Sequence, residues 1–323
     1  MNKKSENLEI ILPKKQLRLF GYRDYFTSFA NLYRKNKLPN VILLSGPKGL
    51  GKATFAYHFI NYILSFSESN KYSVDEMTIN PDCNSYKSLS NNTNSNFSLL
   101  ESDMLDENIK VDKVREILSF LTKSTYASDI KIILIDNAEY LNAHSSNALL
   151  KCLEESGDRT FFFIIHNSQS KILDTIKSRC IQFKIFFTTD DKEKILRNII
   201  KQYDALDLKS IDDSFFFDTP GNILRYLLIF KDSDINLYEN KLECILYLIE
   251  KYKYKNDAEL LTIISLFIEL FYMDLSLKNN KNIDLCSANK FKLLSQINNA
   301  RQFNLDKKNL FTSIIGTLEN ESK

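Results

Sequence analysis

Residues 41–54 read Val41-Ile42-Leu43-Leu44-Ser45-Gly46-Pro47-Lys48-Gly49-Leu50-Gly51-Lys52-Ala53-Thr54. The short apolar run predicts a buried strand, the glycine-rich stretch a turn, and Phe55, Phe59, Ile60 and Ile63 the apolar side of a following helix. Gly46, Gly51 and Lys52 stand at the G-x-x-x-x-G-K spacing of a phosphate-binding loop. Such a loop wraps phosphates with backbone N–H groups at a helix N-terminus, and its lysine neutralises charge. The next position ordinarily carries a serine or threonine whose hydroxyl holds magnesium. Here it is Ala53, so the loop keeps its architecture and lacks a metal ligand; Thr54 substitutes only if the loop shifts by one residue. The expectation is a degenerate nucleotide site at Gly46, Pro47, Lys48, Gly49, Leu50, Gly51, Lys52, Ala53 and Thr54. It requires no cofactor, and it retains the means to hold ATP or ADP without turning it over.

Working outward, the 323 residues suffice for two or three domains, and a 44% hydrophobic content supplies their cores. A formal net charge of +2 gives no whole-chain case for nucleic-acid binding. The five cysteines (83, 152, 180, 244 and 286) form no C-x-x-C pair, which argues against a zinc module and for reduced thiols in a cytoplasmic protein. The start, MNKKSENLEIILPKKQ, has too short an apolar run for a signal peptide. Ser265, Glu269 and Asp274 interrupt the apolar 260–277 stretch, which reads as a buried helix rather than a membrane span.

A helix is expected over 24–35 and another over 52–65. The Ser/Asn-rich segment 67–108, with SLSNNTNSNFS at its centre, is expected to be partly a mobile surface insertion, with one strand near 97–100. Val114, Ile117, Leu118 and Leu121 form a helical stripe. Further apolar runs lie at 132–135, 161–165 and 181–185, separated by helices, one of which has Ala148, Leu149, Cys152 and Leu153 on one face. Continuous apolar strands alternating with helices predict a parallel α/β sheet covered on both faces. Beyond Phe187 the pattern is helical: 192–203 and 221–230 in a small lid, then helices near 240–254, 257–277, 288–302 and 306–319. The expected domains are 1–187, 188–234 and 235–323.

Asp136 closes the 132–135 run, where a P-loop ATPase places the aspartate that organises magnesium; the alternative is a strand-end cap for the next helix. The residue after it is Asn137, whose amide cannot accept the proton of an attacking water. Glu139 is two residues further on.

Three more stretches carry a family resemblance: Asn147-Ala148-Leu149-Leu150-Lys151 with Leu153-Glu154-Glu155, Thr175-Ile176, and Ser178-Arg179-Cys180. Together with the loop they resemble the AAA+ clamp-loader subunits of bacterial DNA polymerase III, whose pattern is N-A-L-L-K-x-L-E-E followed by T-I-x-S-R-C. Leu19-Phe20-Gly21, Leu38-Pro39 and Val111-Asp112-Lys113-Val114-Arg115 narrow the likeness to the delta-prime family of such subunits. The resemblance covers roughly residues 17–187. It implies an AAA+ P-loop domain, a small helical lid and a C-terminal helical collar that joins subunits into an arc. It implies gamma/tau-type motor subunits and a delta subunit as partners, and indirectly the sliding clamp and primer-template DNA. Arg179 matches the arginine that such subunits project in trans into a neighbour's ATP site; its alternative is a structural arginine paired with a carboxylate. Asn167 matches the sensor-1 region; its alternative is a strand-end turn residue.

Departures point one way. Motor subunits of the family carry a four-cysteine zinc module after the loop helix, where this chain has only Cys83. Ser156-Gly157 replaces the usual proline pair, and Pro220-Gly221-Asn222 stands near the lid arginine that senses nucleotide, with Arg225 a helical turn further on. The expected function is therefore a non-motor clamp-loader subunit with no intrinsic ATPase, donating Arg179 within the polymerase III holoenzyme. Two other readings stay open: a motor in which Thr54 and Glu139 rescue the lost groups, and a stand-alone DNA-binding AAA+ factor. Lys110, Lys113, Lys123 and Lys131 face DNA or simply solvent.

Overall fold

The computed structural model describes residues 10–102, 108–122, 130–154, 156–203, 206, 216–231, 233, 235–237, 239–252, 258–278, 283–303 and 305–321. The described residues up to 206, together with 216–229, form one compact unit, and those from 230 onward a second.

The first unit begins with α1 (Arg23–Arg34), then β1 (Val41–Gly46), α2 (Lys52–Leu64), α3 (Asn84–Ser90) and β2 (Phe97–Leu100). There follow α4 (Val111–Thr122), β3 (Lys131–Ile135), α5 (Ala143–Glu154), β4 (Thr160–Asn167), α6 (Asp174–Lys177) and β5 (Ile181–Lys184). All strand pairings are parallel, in the order β2-β3-β4-β1-β5. This is the parallel sheet that the alternation of apolar runs and helices predicts. Period-two geometry sends alternate side chains to opposite faces. Ile42, Leu44, Ile132, Leu134, Phe163 and Ile165 join the core under α1 and α2. Leu43, Ile133, Ile135, Phe162 and Ile164 join the core that includes Val114 and Ile117 of α4 and Leu149 and Cys152 of α5. Burial on both faces is why these strands read as unbroken apolar runs.

The segment expected to be a mobile insertion is, over 67–102, largely built into the body; residues 103–107 lie outside the described residues, as do Lys123 and Glu155. Tyr72, Met77, Ile79 and Leu89 enter the α1/α2 core, and Tyr72 stacks on Phe26 at 4.8 Å between ring centroids. Its serines and asparagines shape turns: Asn92 takes a left-handed φ of 56°, and Thr93 N–H donates to Ser88 O at 2.9 Å.

Glu68 ties this segment down. One carboxylate oxygen accepts the Asn84 N–H (2.9 Å) and the Cys83 thiol (3.1 Å); the other accepts the Ser85 N–H (3.0 Å) and hydroxyl. Partial burial raises the Glu68 pKa, but these bonds outweigh it and hold it below the usual value of 4.5. A carboxylate with a depressed folded pKa stabilises above its unfolded pKa and loses that contribution as pH falls through the folded value. Glu68→Ala is therefore expected to melt earlier than the parent at pH 7, the gap closing as the pH falls below about 4. Paired thermal melts across that range check it.

The lid helices α7 (Thr189–Ile200) and α8 (Pro220–Phe230) follow. Thr188 and Asp191 form a reciprocal capping box that starts α7 three residues before the predicted position. α7 and nearly all of α8 belong to the same compact unit as the sheet, and Gly21, at φ +77°, lies where any side chain would strike Ile195 of α7.

The second unit contains α9 (Lys241–Tyr252), α10 (Ala258–Lys278), α11 (Ile283–Gln302) and α12 (Lys307–Glu321), matching the predicted helical collar. Leu248, Ile264, Phe267, Leu293, Ile297, Ile314 and Leu318 are fully buried in it. No helix among the described residues is long and apolar enough to cross a membrane.

Candidate functional site

β1 ends in the loop, and Gly49 and Gly51 both take φ +86°, a conformation that favours glycine. Among the described residues, no hydrogen bond engages the N–H of Gly51, Lys52 or Ala53, so the phosphate-binding donors at the start of α2 are intact. An apolar cleft of about 120 Å³ beside them is lined by Leu50, Thr54, Ile195, Ile199, Tyr203 and Leu224, among others. The backbone N–H groups are placed as a phosphate site requires.

Two features do not fit a working ATPase. Lys52 is buried and folds back on the loop, donating to Gly46 O and Pro47 O, both at 2.7 Å. The lid also closes on the loop directly. Gly221 N–H donates to Gly49 O (2.9 Å) and the Thr219 hydroxyl donates to Lys48 O (2.8 Å). A Cβ on Gly221 would lie 2.7 Å from Gly49 O, and one on Gly49 would lie 2.2 Å from the Thr219 hydroxyl oxygen. The Pro220-Gly221-Asn222 stretch is thus the lid's contact with the loop. Its sequence signal was a proline at the first turn of a helix followed by glycine.

Ala53 offers no oxygen. Thr54 lines the apolar cleft, and one position along a helix turns it about 100° from Ala53, away from where the missing hydroxyl would stand. Asp136 does come to the loop, at the end of β3. Burial pushes its pKa up to about 6, reinforced by Glu101 and Glu139 and opposed by the Asn137 N–H and Lys52. Burial pulls Lys52 down to about 8, against Glu139 and Asp136, which favour its charge. Asn137 adopts φ +55° and opens a single 3-10 turn, Ala138–Tyr140. The turn aims Glu139 at the end of β4, where it accepts the Asn167 N–H at 3.1 Å. The direction of Glu139, unreadable from sequence, is therefore toward the loop.

Asn167 spends its side chain on its own turn: Oδ1 accepts the Gln169 N–H (3.2 Å) and Nδ2 donates to the Ser170 hydroxyl (3.4 Å). That is the strand-end alternative. His166, the residue before it, bridges β4 to β1: Nε2 contacts Ser170 O at 3.0 Å and Nδ1 the Ser45 hydroxyl at 3.3 Å.

The raised Asp136 pKa has a signed consequence. Between about pH 4 and 6 the folded chain holds a proton that the unfolded carboxyl has released, so stability falls as pH rises through that window. Asp136→Asn removes the cost and is expected to raise stability at pH 7 by on the order of 1–3 kcal/mol, converging with the parent near pH 4. Denaturant melts at the two pH values measure it.

Arg179 is distant from all of this. β1 and β5 run parallel with Ser45 beside Lys184 and Ile42 beside Ile181, so Arg179 stands before the start of β5 while the loop leaves the end of β1. About six residues of strand, roughly 20 Å, separate them. Arg179 does not reach its own loop. Its side chain is 38% exposed and paired with Glu154: Nε donates to Glu154 Oε1 at 2.8 Å, and a terminal nitrogen donates to Thr175 O at 3.1 Å. Cys180 beside it turns inward, its thiol donating to Ile176 O at 3.0 Å, and burial pushes its pKa up to about 12.

Lys113 and Lys131 are engaged with backbone, on Glu101 O (2.8 Å) and Leu121 O respectively.

Comparison with known proteins gives a consistent set. The family model described as DNA polymerase III, delta subunit matches residues 22–189. The DNA polymerase III subunit delta' of Pseudomonas aeruginosa is 33% identical over 140 residues, 43% of this chain and 41% of that protein. The subunit gamma of Buchnera aphidicola subsp. Schizaphis graminum is 28% identical over 232 residues, 70% of this chain and 61% of that protein. The chain thus spans less than two thirds of these relatives' length. A DNA polymerase III gamma subunit-related protein of known structure from Thermotoga maritima is 14% identical, covering 91% of this chain and 99% of its own at a TM-score of 0.49.

Proposed function

Because the chain belongs to the DNA polymerase III delta subunit family over residues 22–189, we propose that it is the non-motor, delta-prime-like subunit of a clamp loader. In this role it assembles with gamma/tau-type motor subunits and a delta subunit. It donates Arg179 to a neighbour's ATP site while the arc places a sliding clamp on primed DNA. The observation that carries this reading is the contrast between the two ends of the sheet. At one end the loop lacks a magnesium hydroxyl at Ala53 and a catalytic carboxylate at Asn137, and the lid is bonded to it. At the other end Arg179 is presented at the surface, out of reach of that loop. A guanidinium so placed stabilises the charge that develops on a transferring phosphoryl group in the adjoining chain.

Gly46–Gly51 backbone groups and Lys52 would hold a nucleotide's phosphates if Lys52 left Gly46 O and Pro47 O. Bound there, a nucleotide would lend the loop order; the residues supply no route to its hydrolysis.

One observation favours a motor instead: Glu139 reaches the end of β4 and acts electrostatically on Lys52. The test is reconstitution with motor, delta, clamp and primed DNA. A subunit acting in trans shows no magnesium-dependent turnover alone, and the assembled complex loses most hydrolysis at one ATP site with Arg179→Ala. Turnover by the isolated chain that falls with Glu139→Gln establishes the motor.

A further inference from the structure

Glu154 is not a bystander to Arg179. It ends α5, and its carboxylate meets the arginine in front of β5, where Arg179 follows the short helix α6. The bonding is one-sided. Oε1 accepts from Nε at 2.8 Å and from the terminal Nη2 at 2.5 Å, so the carboxylate grips the edge of the guanidinium made by those two nitrogens. Nη1 donates one hydrogen to Thr175 O at 3.1 Å.

A guanidinium has five N–H donors in a rigid planar fork. The two on the Nε/Nη2 edge go to Glu154 and one goes to Thr175 O. One donor on Nη1 and one on Nη2 have no part in these contacts, so the guanidinium keeps hydrogen-bonding capacity for an oxyanion. Both supports come from the protein's own chain. A free arginine has a large rotamer entropy, which a long side chain forfeits on being fixed. Held in advance, the fork forfeits less at the moment of contact.

We propose that Glu154 is the positioning residue of the Arg179 finger: it fixes the guanidinium by its side edge so that the remaining donors are offered to a phosphate of the adjoining chain. This rests on the trans-acting reading above. Glu154 touches no reacting atom; it acts through Arg179 alone. Its side chain is 54% exposed, so its replacement leaves no buried hole.

The experiment is a double-mutant cycle in the reconstituted complex, with clamp and primed DNA, following ATP hydrolysis and clamp loading for Glu154→Ala, Glu154→Gln, Arg179→Ala and the double variant. Read in complexes with one competent motor site, Glu154→Ala is expected to lower kcat about 10-fold or more with KM for ATP unchanged. Glu154→Gln, which keeps an acceptor oxygen on the same stem, recovers most of the rate. Added to Arg179→Ala, Glu154→Ala has no further effect, because a positioning residue has nothing left to position. Melting temperature and assembly, measured alongside, stay within the range of ordinary surface substitutions. Effects of Glu154→Ala that multiply with those of Arg179→Ala, or that follow loss of assembly, assign Glu154 a structural role and overturn the proposal. So does a full rate in Glu154→Ala when Arg179→Ala is impaired. A silent Arg179→Ala in an intact complex is a different failure: it removes the trans-acting reading itself.

Discussion

In a fully assembled complex, Arg179→Ala is expected to cut ATP hydrolysis at the adjoining site by about 10³-fold or more, the range found when an arginine supplied in trans is removed from phosphoryl transfer. By transition-state arithmetic that is about 4 kcal/mol of lost stabilisation. The loss should fall on kcat, because the guanidinium is asked to meet charge that grows in the transition state rather than charge already present in bound ATP. Arg179→Lys should recover little. An ammonium is a point charge without the planar fork, and Glu154 cannot grip it by an edge. Total turnover shows only a partial fall, because an arc has several ATP sites and a single one loses its finger. Pre-steady-state hydrolysis in complexes with one competent motor site isolates the effect.

The second large effect concerns stability. Gly49→Ala places a side chain at φ +86° and puts its Cβ 2.2 Å from the Thr219 hydroxyl oxygen and 2.9 Å from Asn222 Oδ1. Left-handed strain alone costs on the order of 1–3 kcal/mol. The clash is relieved by turning the Thr219 and Asn222 side chains away, which breaks the bond from Thr219 to Lys48 O, or by withdrawing the start of α8, which also breaks that from Gly221 to Gly49 O. Gly221→Ala reaches the same end from the other side, its Cβ facing backbone at 2.7–3.2 Å with no flexible side chain to yield. Both variants are expected to lose several kcal/mol in denaturant melts. Hydrogen exchange should quicken in α8 and the loop before it quickens in the sheet. A melt and exchange pattern equal to the parent's would show that the lid does not depend on this contact.

The P-loop, the sheet and the collar helices were legible because each rests on a local pattern. An apolar run before glycines, unbroken strands between helices and stripes at helical spacing are properties of consecutive residues. Asp136 and Arg179 were legible for the same reason: each is placed by the strand beside it. What escaped were the contacts between distant segments. Glu139 takes its direction from the left-handed Asn137, and nothing in the letters Asp-Asn-Ala-Glu fixes that torsion. Thr219 and Gly221 meet residues some 170 positions away in the chain. The packing of the Ser/Asn stretch was not legible, because serine and asparagine favour both disorder and tight turns, and the burial of Tyr72, Ile79 and Leu89 shows only in the fold. For Arg179, the sequence left a trans-acting finger and a carboxylate-paired arginine as alternatives. The structure shows the pairing with Glu154; the trans-acting role is what is proposed.

The corner where Glu68 gathers Cys83, Asn84 and Ser85 has a further consequence. It is a clasp of hydrogen bonds on a single carboxylate, in a stretch that carries only one cysteine. No thiolate set has to be kept reduced there and no coordination sphere has to be filled for the corner to close. A chelator that strips zinc from a cysteine cluster finds nothing to remove at this clasp.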